Sequence, residues 1–432
     1  MNRRDFLINS SLLASTTILS DDALANKKFK QVLSKKGLSI LQGLTTPTST
    51  QLVVGLEREA QVFYTLTDVE TKKVFEPTSL RSVTYKSSED RVDKLKFTGL
   101  ELGHQYQLQV RDRRKKLIDD RFLKTADLNR YGAKIGVMSC MLDLVGNKNE
   151  IWRSAQAADL DYIFFIGDAV YGDLWIFHGP GFLWSRYMES RQSIPFYRWK
   201  HLKPVIAVWD DHDFGKNNKG ADYKFKEQAL EHFNTFFAQE PDQEFFFKGI
   251  GNSSFFRAFH QNFAFFDNRF YRGLLDPAGQ PGFFGEDQIN WMLQGVANNP
   301  NPTWILNGSP IFGRLEKTAS YEVNAPAELE LFLKKVRSTG APVIFGAGDL
   351  HYSEVSEIPK EYLGYKTFEL VSSCMHSTKR KKYYDNPNPH LNGYLQENFL
   401  MFEQVGLAGD PAWKVTCVAK DLETAFELDI EV

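Results

Sequence analysis

Apolar and polar positions alternate in short runs from residue 38 to about residue 126, and polar turns separate the runs. Residues 51–56 and 60–66 show the period of two that is typical of half-buried antiparallel strands. The pattern predicts a β-sandwich over residues 38–126. This stretch carries no cluster of candidate ligands or bases, which favours a structural role for the sandwich.

After a linker at residues 127–132, longer apolar runs alternate with helical patterns. Strands alternating with helices predict a layered α/β domain over residues 132–432, with a two-sheet β core flanked by helices. The expected strands include residues 134–140, 162–166, 204–209, 255–269, 303–306, 342–348, 367–373 and 415–419. Helices are expected at residues 150–160, 221–239 and 285–296, and one is expected to begin at Pro326.

Charge excludes one class of function. The chain has 52 basic and 54 acidic residues, and without residues 1–25 the numbers are 50 and 51. No surplus of positive charge is left for a nucleic-acid duplex. We interpret the short basic runs at residues 113–116 and 379–382 as solvated turns. The 35 phenylalanines are ample for a large core.

The N-terminus indicates export. Arg3 and Arg4 form a twin-arginine pattern, a mildly apolar stretch follows at residues 7–19, and Ala23 and Ala25 form a small-x-small cleavage site. We therefore predict a Tat-type signal peptide over residues 1–25 and a periplasmic or extracellular location. The apolar stretch is too short and too polar for a permanent transmembrane helix, and no other stretch approaches that length.

Three cysteines do not make a disulfide scaffold. An exported chain could pair two of them and leave one odd thiol, and the sequence leaves the pairing open. The three are Cys140, Cys374 and Cys417.

Potential metal ligands follow four predicted strands. Each residue alone is more simply read as a cap or a turn carboxylate, but the carboxyl ends of parallel strands meet at one edge of a sheet. The set together predicts a multinuclear metal site with a shared carboxylate. Its members are Cys140, Asp168 with Tyr171, Asp211 with His212, and Asp349 with His351.

The spacing of Asp168 and Tyr171 bears on the kind of metal. Three residues apart in a loop after a strand, they are close enough to share one ion. A phenol is a poor ligand unless the ion is acidic enough to displace its proton, which favours a ferric ion over zinc or magnesium. A strand ending in aspartate with an incidental tyrosine is the alternative.

The ordered motifs resemble those of the PhoD-type alkaline phosphatases, within the calcineurin-like metallophosphoesterases. Residues 266–269, 284–291, 369–373 and 376–377 add to the resemblance, which covers residues 38–380. Residues 100–110 also resemble the tyrosine-corner strand of fibronectin-type modules, so an immunoglobulin- or fibronectin-like sandwich is expected. The main motifs are Ser139-Cys140, Gly167-Asp168-x-x-Tyr171, Trp209-Asp210-Asp211-His212-Asp213 and Gly348-Asp349-x-His351.

The resemblance implies Fe³⁺ and Ca²⁺ as cofactors. Soft thiolate and phenolate suit iron, and hard carboxylate and amide oxygens suit calcium. His212 matches the position that contacts the substrate phosphate or protonates the leaving group. Asp168 would bridge the ions, Cys140, Tyr171 and His351 would complete the iron site, and Asp349 and Asn217 would bind calcium, with Asp211 a further candidate.

The implied function is an exported phosphatase that hydrolyses small phosphomonoesters by attack of a metal-bound hydroxide or oxide. A phosphodiesterase for a polymer or a lipid headgroup is the alternative among hydrolases. A cell-envelope binding module with a structural metal site is the alternative from another class. Residues 174–200 and the tail beyond residue 382 match nothing in the family pattern, and we expect the loop at 174–200 to shape the substrate entrance.

Overall fold

A computed structural model describes residues 37–145, 148–174, 176–313, 320–380, 391–406 and 412–431 of the chain. The predicted signal peptide at residues 1–25 lies outside the described residues. Among the helices of the described part, none is both long and apolar enough to cross a membrane.

The described part of the chain is rich in strands. In chain order they are β1 Ser39–Thr45, β2 Ser49–Glu57, β3 Val62–Asp68, β4 Val74–Phe75, β5 Ser79–Thr84, β6 Asp90–Thr98, β7 Gln105–Asp112, β8 Leu117–Lys124, β9 Lys134–Met138, β10 Tyr162–Ile166, β11 Val205–Val208, β12 Phe246–Lys248, β13 Ser254–Ala258, β14 Gln261–Phe265, β15 Thr303–Leu306, β16 Val343–Ala347, β17 Ser353–Ile358, β18 Thr367–Val371, β19 Asn392–Tyr394, β20 Phe399–Gln404, β21 Trp413–Val418 and β22 Thr424–Ile430.

Helices lie between the strands from residue 149 onward. They are α1 Asn149–Ala157, α2 Pro180–Ser193, α3 Asp211–Phe214, α4 Lys226–Phe236, α5 Glu286–Ala297, α6 Tyr321–Asn324, α7 Pro326–Ser338 and α8 Lys360–Leu363, with 3-10 turns at Pro195–Arg198 and Lys420–Leu422.

The first eight strands form two four-stranded antiparallel sheets, with strand orders β1-β2-β6-β5 and β4-β3-β7-β8. Alternate residues of strands such as β7 are buried, as the period of two predicts. The two sheets share one core, to which Leu52 and Leu108 contribute from opposite sides. The Tyr106 hydroxyl accepts a hydrogen bond from the Glu101 backbone N–H at 2.7 Å, as in a tyrosine corner. The predicted sandwich is therefore present.

Two larger sheets follow, six-stranded in the order β11-β10-β9-β20-β21-β22 and eight-stranded in the order β12-β13-β14-β15-β16-β18-β17-β19. They pack face to face, and the Phe164 ring lies 4.9 Å from that of Phe263 and 5.0 Å from that of Phe265. Strands β9, β10 and β11 are parallel, as are β14, β15, β16 and β18. Burial on both faces explains their uninterrupted apolar runs.

Helices cover the outer faces of both large sheets. Trp152 of α1, Leu183 of α2 and Phe233 of α4 join the core behind the six-stranded sheet. Met292 of α5 and Phe332 of α7 join the core behind the eight-stranded sheet. The order of layers is therefore helix, sheet, sheet, helix.

Three expectations were wrong. Residues 174–200 are not one loop, because they contain helix α2, whose Trp184 and Tyr187 are buried. Residues 255–269 form the hairpin β13–β14 instead of a single strand. Beyond residue 391, strands β20, β21 and β22 extend the six-stranded sheet, whereas the sequence predicted only the strand that corresponds to β21. The three cysteines are separate buried thiols, which answers the open question of their pairing.

Candidate metal centre

The candidate ligands lie just beyond the carboxyl ends of parallel strands. Strand β9 ends two residues before Cys140, β10 two residues before Asp168, and β16 two residues before Asp349. Strand β11 leads in the same way to Asp210 and Asp211. Parallel strands end at the same edge, so the two sheets deliver these side chains to one end of their shared core.

Glycines allow the two sheets to approach each other closely at this end. A Cβ atom on Gly308 would lie 2.5 Å from the Asp210 Cβ. A Cβ atom on Gly348 would lie 2.7 Å from the Ile166 carbonyl oxygen and 2.8 Å from the Ser139 Oγ. Contacts this short are not tolerated, so these positions require glycine to keep the ligands of both sheets together.

Several of the ligands occupy the left-handed region of backbone conformation. Their φ angles are 55° at Cys140, 54° at Asp168, 68° at Asp349 and 61° at His351. Non-glycine residues rarely adopt such angles, which cost on the order of 1–3 kcal/mol each. The rest of the structure holds the chain in this shape, and strained backbone of this kind concentrates at functional sites.

Four of the predicted ligands converge on one point. The Asp168 Oδ2 lies 3.6 Å from the Cys140 Sγ and 3.5 Å from the Tyr171 hydroxyl, which is itself 3.5 Å from the His351 Nε2. Ligand atoms of Cys140, Asp168 and His351 all lie within 4.8 Å of one another. Two ligands of one transition-metal ion are roughly 3–4 Å apart, given bonds of about 2 Å. The spacing therefore suits a single ion held between these four side chains.

A second group shares Asp168 with the first. Ligand atoms of Asp168, Asp211 and His212 also lie within 4.8 Å of one another. The Oδ1 atoms of Asp168 and Asp211 are buried and accept no hydrogen bond from any described residue. A buried carboxylate oxygen without a partner costs several kcal/mol, and a bound cation removes that cost. The residues present therefore fit two adjacent cations bridged by Asp168.

The pKa values of the candidate ligands also favour a bound cation. Burial raises the pKa of Cys140, Asp168 and Tyr171 well above their usual values, and neighbouring anionic groups raise each of them further. Burial and the Arg380 charge lower the pKa of His351 to about 3, so its imidazole is neutral and able to bind a metal. A cation among these groups would stabilise the anionic forms that burial disfavours.

His212 lies close enough to Asp168 and Asp211 to bind a second ion, but its Nδ1 already has a partner outside both groups. Its Nδ1 donates to the Asp173 Oδ1 at 2.5 Å, and its ring packs on Tyr171 with centroids 4.1 Å apart. Burial lowers the His212 pKa, but the carboxylates of Asp168, Asp211 and Asp173 outweigh burial and hold that pKa well above its usual value. Without metal, the imidazolium form of His212 is therefore favoured, and the Asp173 carboxylate orients the ring. Cations bound to Asp168 and Asp211 would offset the effect of those two carboxylates but not that of Asp173.

Asp173 was not among the predicted site residues. It lies in the loop that also carries Asp168 and Tyr171, and its second oxygen accepts a hydrogen bond from the Asn217 backbone N–H at 2.5 Å. Nothing in the motif spacing indicated that this loop and the 211–218 segment would meet.

Of the two predicted calcium ligands, Asp349 belongs to neither group of converging side chains, and the backbone N–H of Asn217 bonds to Asp173. Burial raises the pKa of Asp349 to about 7, and Asp210 and Asp211 raise it further than Arg269 and Arg380 lower it. Asn217 is exposed. The assignment of these two residues to calcium stays a prediction.

A layer of polar residues behind Asp211 was also missed. Arg269 forms an ion pair with Asp210 at 2.5 Å and lies 3.8 Å from the Asp211 Oδ2. The Asn268 side-chain amide donates to both Asp210 and Ser309 at 2.9 Å. The sequence did mark these residues, because residues 266–269 belong to the motifs that resemble the family. The motif alone did not indicate what Asn268 and Arg269 contact. This layer fixes Asp210 and offsets part of the negative charge.

Arg380 is an exception to the interpretation of residues 379–382 as a solvated turn; Lys379 is exposed as expected, and residues 381 and 382 lie outside the described residues. It is half-buried, and its charge acts on Tyr171, Asp349 and His351. The chain is anchored two residues earlier, where the Thr378 carbonyl accepts a hydrogen bond from the His351 Nδ1. Arg380 therefore contributes positive charge to the ligand cluster.

Two cavities of about 540 and 450 Å³ lie elsewhere, one beside β8 and the other beside α7. None of the candidate ligands lines either of them. The convergence of ligand atoms and the unpaired carboxylate oxygens define the candidate site, whereas cavity size does not.

Comparison with known proteins supports the fold. The chain matches a solved structure of PhoD with a TM-score of 0.66 and 14% sequence identity, over 91% of this chain and 88% of that one. A solved cyclomaltodextrinase also matches, with a TM-score of 0.20 and 7% identity over 72% of this chain and 59% of that one, which is too weak to carry an argument. No family model and no curated protein matches the sequence.

The chain combines a β-sandwich, two packed sheets flanked by helices, and a cluster of candidate metal ligands at their common edge. It has a PhoD-type fold, as the sequence motifs led us to expect.

Proposed function

We propose that this chain is an exported, metal-dependent phosphatase that hydrolyses phosphomonoesters. The observation that carries the proposal is the convergence of a thiol, a phenol, an imidazole and a carboxylate at one strand edge, beside His212, whose Nδ1 is bonded to Asp173. The PhoD-type fold supports it. Structural metal sites are usually closed by their ligands, so the adjacent His212 favours an enzyme over a binding module.

Fe³⁺ would be held by Cys140, Asp168, Tyr171 and His351. Ca²⁺ would be held by Asp168 together with Asp349 and Asn217, with Asp211 as a further candidate ligand. Such ions acidify bound water and neutralise charge on the phosphoryl oxygens.

His212 would supply the proton that the leaving group needs. Burial lowers the His212 pKa, whereas the carboxylates around it raise that pKa, and one of them, Asp173, belongs to neither ligand group. Asp173 therefore favours the imidazolium form even beside bound cations. Because Nδ1 is committed to Asp173, the Nε2–H is the one left to face a substrate oxygen. Protonation of the leaving oxygen as the P–O bond breaks is general acid catalysis.

The surrounding charge favours a doubly charged phosphomonoester. Arg380 places a cation by Tyr171 and His351, in addition to the two proposed metal ions. A monoester carries one more negative charge than a diester, so each cation gives it a greater gain. Electrostatic attraction also raises the rate at which a small anion reaches the site.

Metal analysis of the purified protein, together with turnover of matched mono- and diesters, tests the proposal. We expect iron and calcium in the protein and faster hydrolysis of the monoester. Faster cleavage of the diester would replace the monoester assignment with the phosphodiesterase alternative. Full metal content without hydrolysis of either ester would favour a binding module.

Export is tested separately. Conservative replacement of the pair, Arg3→Lys with Arg4→Lys, should keep the full-length protein inside the cell if residues 1–25 act as a twin-arginine signal. Unchanged export of the double variant would contradict this part of the proposal.

A further inference from the structure

We propose that Ser373 is a positioning residue of the metal centre. Its hydroxyl connects the backbone of one ligand, His351, to the sulfur of another, Cys140, and so sets the strength of the sulfur–metal bond. The inference rests on the proposed metal binding, but it does not depend on which ion is native or on the ester that is hydrolysed.

The geometry places one hydroxyl between two ligands. The Ser373 Oγ accepts a hydrogen bond from the His351 N–H at 2.7 Å and donates to the Cys140 Sγ at 3.1 Å. Cys140 follows β9 of the six-stranded sheet, whereas His351 and Ser373 follow β16 and β18 of the eight-stranded sheet. The chain of hydrogen bonds therefore joins ligands that the two sheets contribute separately.

A second serine lies near the sulfur, but its proton is directed elsewhere. The Ser139 Oγ is 3.4 Å from the Cys140 Sγ and only 2.8 Å from the Ser372 carbonyl oxygen. A hydroxyl has one proton to donate, and the carbonyl is both the closer and the stronger acceptor. Ser373 is thus the hydroxyl that donates to the sulfur.

Ser373 is also held in place. Its backbone N–H donates to the Ser353 Oγ at 3.2 Å. The chain that follows runs beside Cys140, with Met375 N–H donating to the Ser139 carbonyl at 3.2 Å and His376 N–H donating to the Cys140 carbonyl at 3.4 Å. Ser373 itself is 1% exposed. Its hydroxyl is therefore fixed by the fold and shielded from water.

A hydrogen bond to a metal-bound thiolate withdraws electron density from the sulfur. Partners of this kind orient the ligand and tune the metal, and losing one typically costs about 10–100-fold in metal affinity. Hydrogen bonds to cysteine sulfur also shift the redox potential of metal centres. Without the bond, the sulfur electrons lie higher in energy, so charge transfer from sulfur to metal needs less energy and its absorption moves to longer wavelength.

Cobalt(II) reports on the sulfur directly. We would strip the full-length protein of metal, add Co²⁺, and record the sulfur-to-cobalt absorption and the Co²⁺ affinity. We expect Ser373→Ala to shift the band to longer wavelength and to weaken binding about 10–100-fold. Ser373→Thr keeps a hydroxyl and should restore both properties.

Ser353→Ala is the matched control. Ser353 is as deeply buried, at 0% exposed, and it bonds to the backbone of Ser373 without touching the sulfur. We expect it to lower stability and to move the band much less than Ser373→Ala does, because the hydroxyl that bonds to the sulfur is still present. Equal shifts in Ser353→Ala and Ser373→Ala would overturn the inference, because they would show a general loosening.

The unmodified protein provides a measurement that needs no variant to fold. The cobalt–sulfur vibration, seen by resonance Raman scattering, should shift when the hydroxyl proton is exchanged for deuterium. A vibration that is the same in H₂O and D₂O, or the absence of any sulfur-to-cobalt band, would overturn the inference. Failure of the proposed function looks different: a protein that binds cobalt through sulfur but hydrolyses no phosphoester leaves the role of Ser373 standing.

Discussion

At the scale of single residues, substitution of Asp168 should affect the site most, because both groups of candidate ligands include it. Asp168→Asn keeps the shape of the side chain but removes the charge that two cations would share. We expect loss of hydrolysis together with loss of metal, since the ligands of both ions are affected. Metal analysis and turnover of the same sample would show this.

The control for Asp168 is another fully buried carboxylate that follows a strand. Asp267 accepts hydrogen bonds from the Trp209 ring and the Asn252 backbone and belongs to neither ligand group. Asp267→Asn should lower stability and retain metal. An Asp168→Asn protein with full metal content and near-normal turnover would contradict the bridging role.

His212 and Asp173 form the second prediction at this scale. His212→Ala should retain metal and lose about a hundredfold or more in turnover, as removal of a general acid typically does. The loss should be smaller for nitrophenyl phosphate, whose leaving group needs no proton. Equal losses with good and poor leaving groups would assign His212 to phosphate positioning instead.

Asp173→Asn should change the pH profile without abolishing activity. The Asp173 carboxylate helps to raise the His212 pKa, so its removal lowers that pKa. The acid form of His212 is the active one, so the alkaline limb of the kcat/KM profile should move to lower pH. An alkaline limb that stays in place would show that Asp173 acts only on the fold.

At the scale of elements, the close approach of strand ends is open to test. A Cβ atom on Gly308 would lie 2.5 Å from the Asp210 Cβ, so Gly308→Ala should displace Asp210. We expect a cost of about 1–3 kcal/mol in the free energy of unfolding and weaker metal binding. Chemical denaturation and a metal titration measure the two effects.

Gly295 in helix α5 is the matched control for Gly308. A Cβ atom there would make ordinary contacts with Phe255, the nearest at 3.4 Å. Alanine is favoured over glycine inside a helix by up to about 1 kcal/mol, so Gly295→Ala should be neutral or stabilising. If both variants lose the same stability, the argument from close approach at Gly308 fails.

The elements that could be predicted are those with one strong signal. Strands β9, β10, β11 and β16 were predicted because they are apolar on both faces and end before polar residues. The β13–β14 hairpin was missed because Phe259 and His260 make its turn with φ of 56° and 59°, where glycine or asparagine is expected. Strand β22 is half-exposed and carries a weak pattern.

The candidate site was also predictable only in part, namely for the residues that follow strands with a strong sequence pattern. Cys140, Asp168, Tyr171 and His351 come together because each follows a strand whose position in a sheet its own sequence indicates. The roles of Asp173, Arg269 and Ser373 depend on where loops from different sheets meet. No periodicity in the sequence encodes those meetings.

At the scale of the whole molecule, the sandwich supports the strand that carries Asp168. The Tyr162 hydroxyl at the start of β10 donates to the Thr45 carbonyl at 2.6 Å and accepts from the Thr45 N–H at 2.8 Å. The Leu44 N–H donates to the Ala238 carbonyl at 2.7 Å. The sandwich is therefore joined by buried hydrogen bonds to the sheet on which the site is built.

The site also connects the two large sheets. Cys140 and Asp168 follow strands of the six-stranded sheet, and Asp349 and His351 follow a strand of the eight-stranded sheet. An ion bound between them would join the sheets at the edge where buried negative charge otherwise pushes them apart. Metal content should therefore affect the stability of the whole molecule as well as activity.

Removal of metal is the last prediction. A ligand present at a thousand times its Kd stabilises the folded state by about 4 kcal/mol, so chelation should lower the Tm by several degrees.

The pH dependence of stability should change as well. Burial raises the pKa of Asp349 to about 7 in the folded state, above its unfolded value of 3.8. Without metal, the stabilisation from this protonated carboxyl is therefore lost as the pH rises towards 7. The raised pKa of His212 acts in the same direction, because its contribution is lost as pH rises.

Below about pH 6.5, the unfolded-state pKa of histidine, buried His351 and His376 act in the opposite direction, because their pKa values are lowered to about 3 and 4. The informative window is therefore about pH 6.5 to 8. There, the Tm of the metal-free protein should fall with rising pH while that of the loaded protein holds, since metal binding strengthens as its ligands lose protons. Asp168→Asn should behave like metal-free protein whether or not metal is added. Thermal unfolding at several pH values measures the Tm of both forms. If the Tm of the metal-loaded protein falls in parallel with that of the metal-free protein, no ion bridges the two sheets.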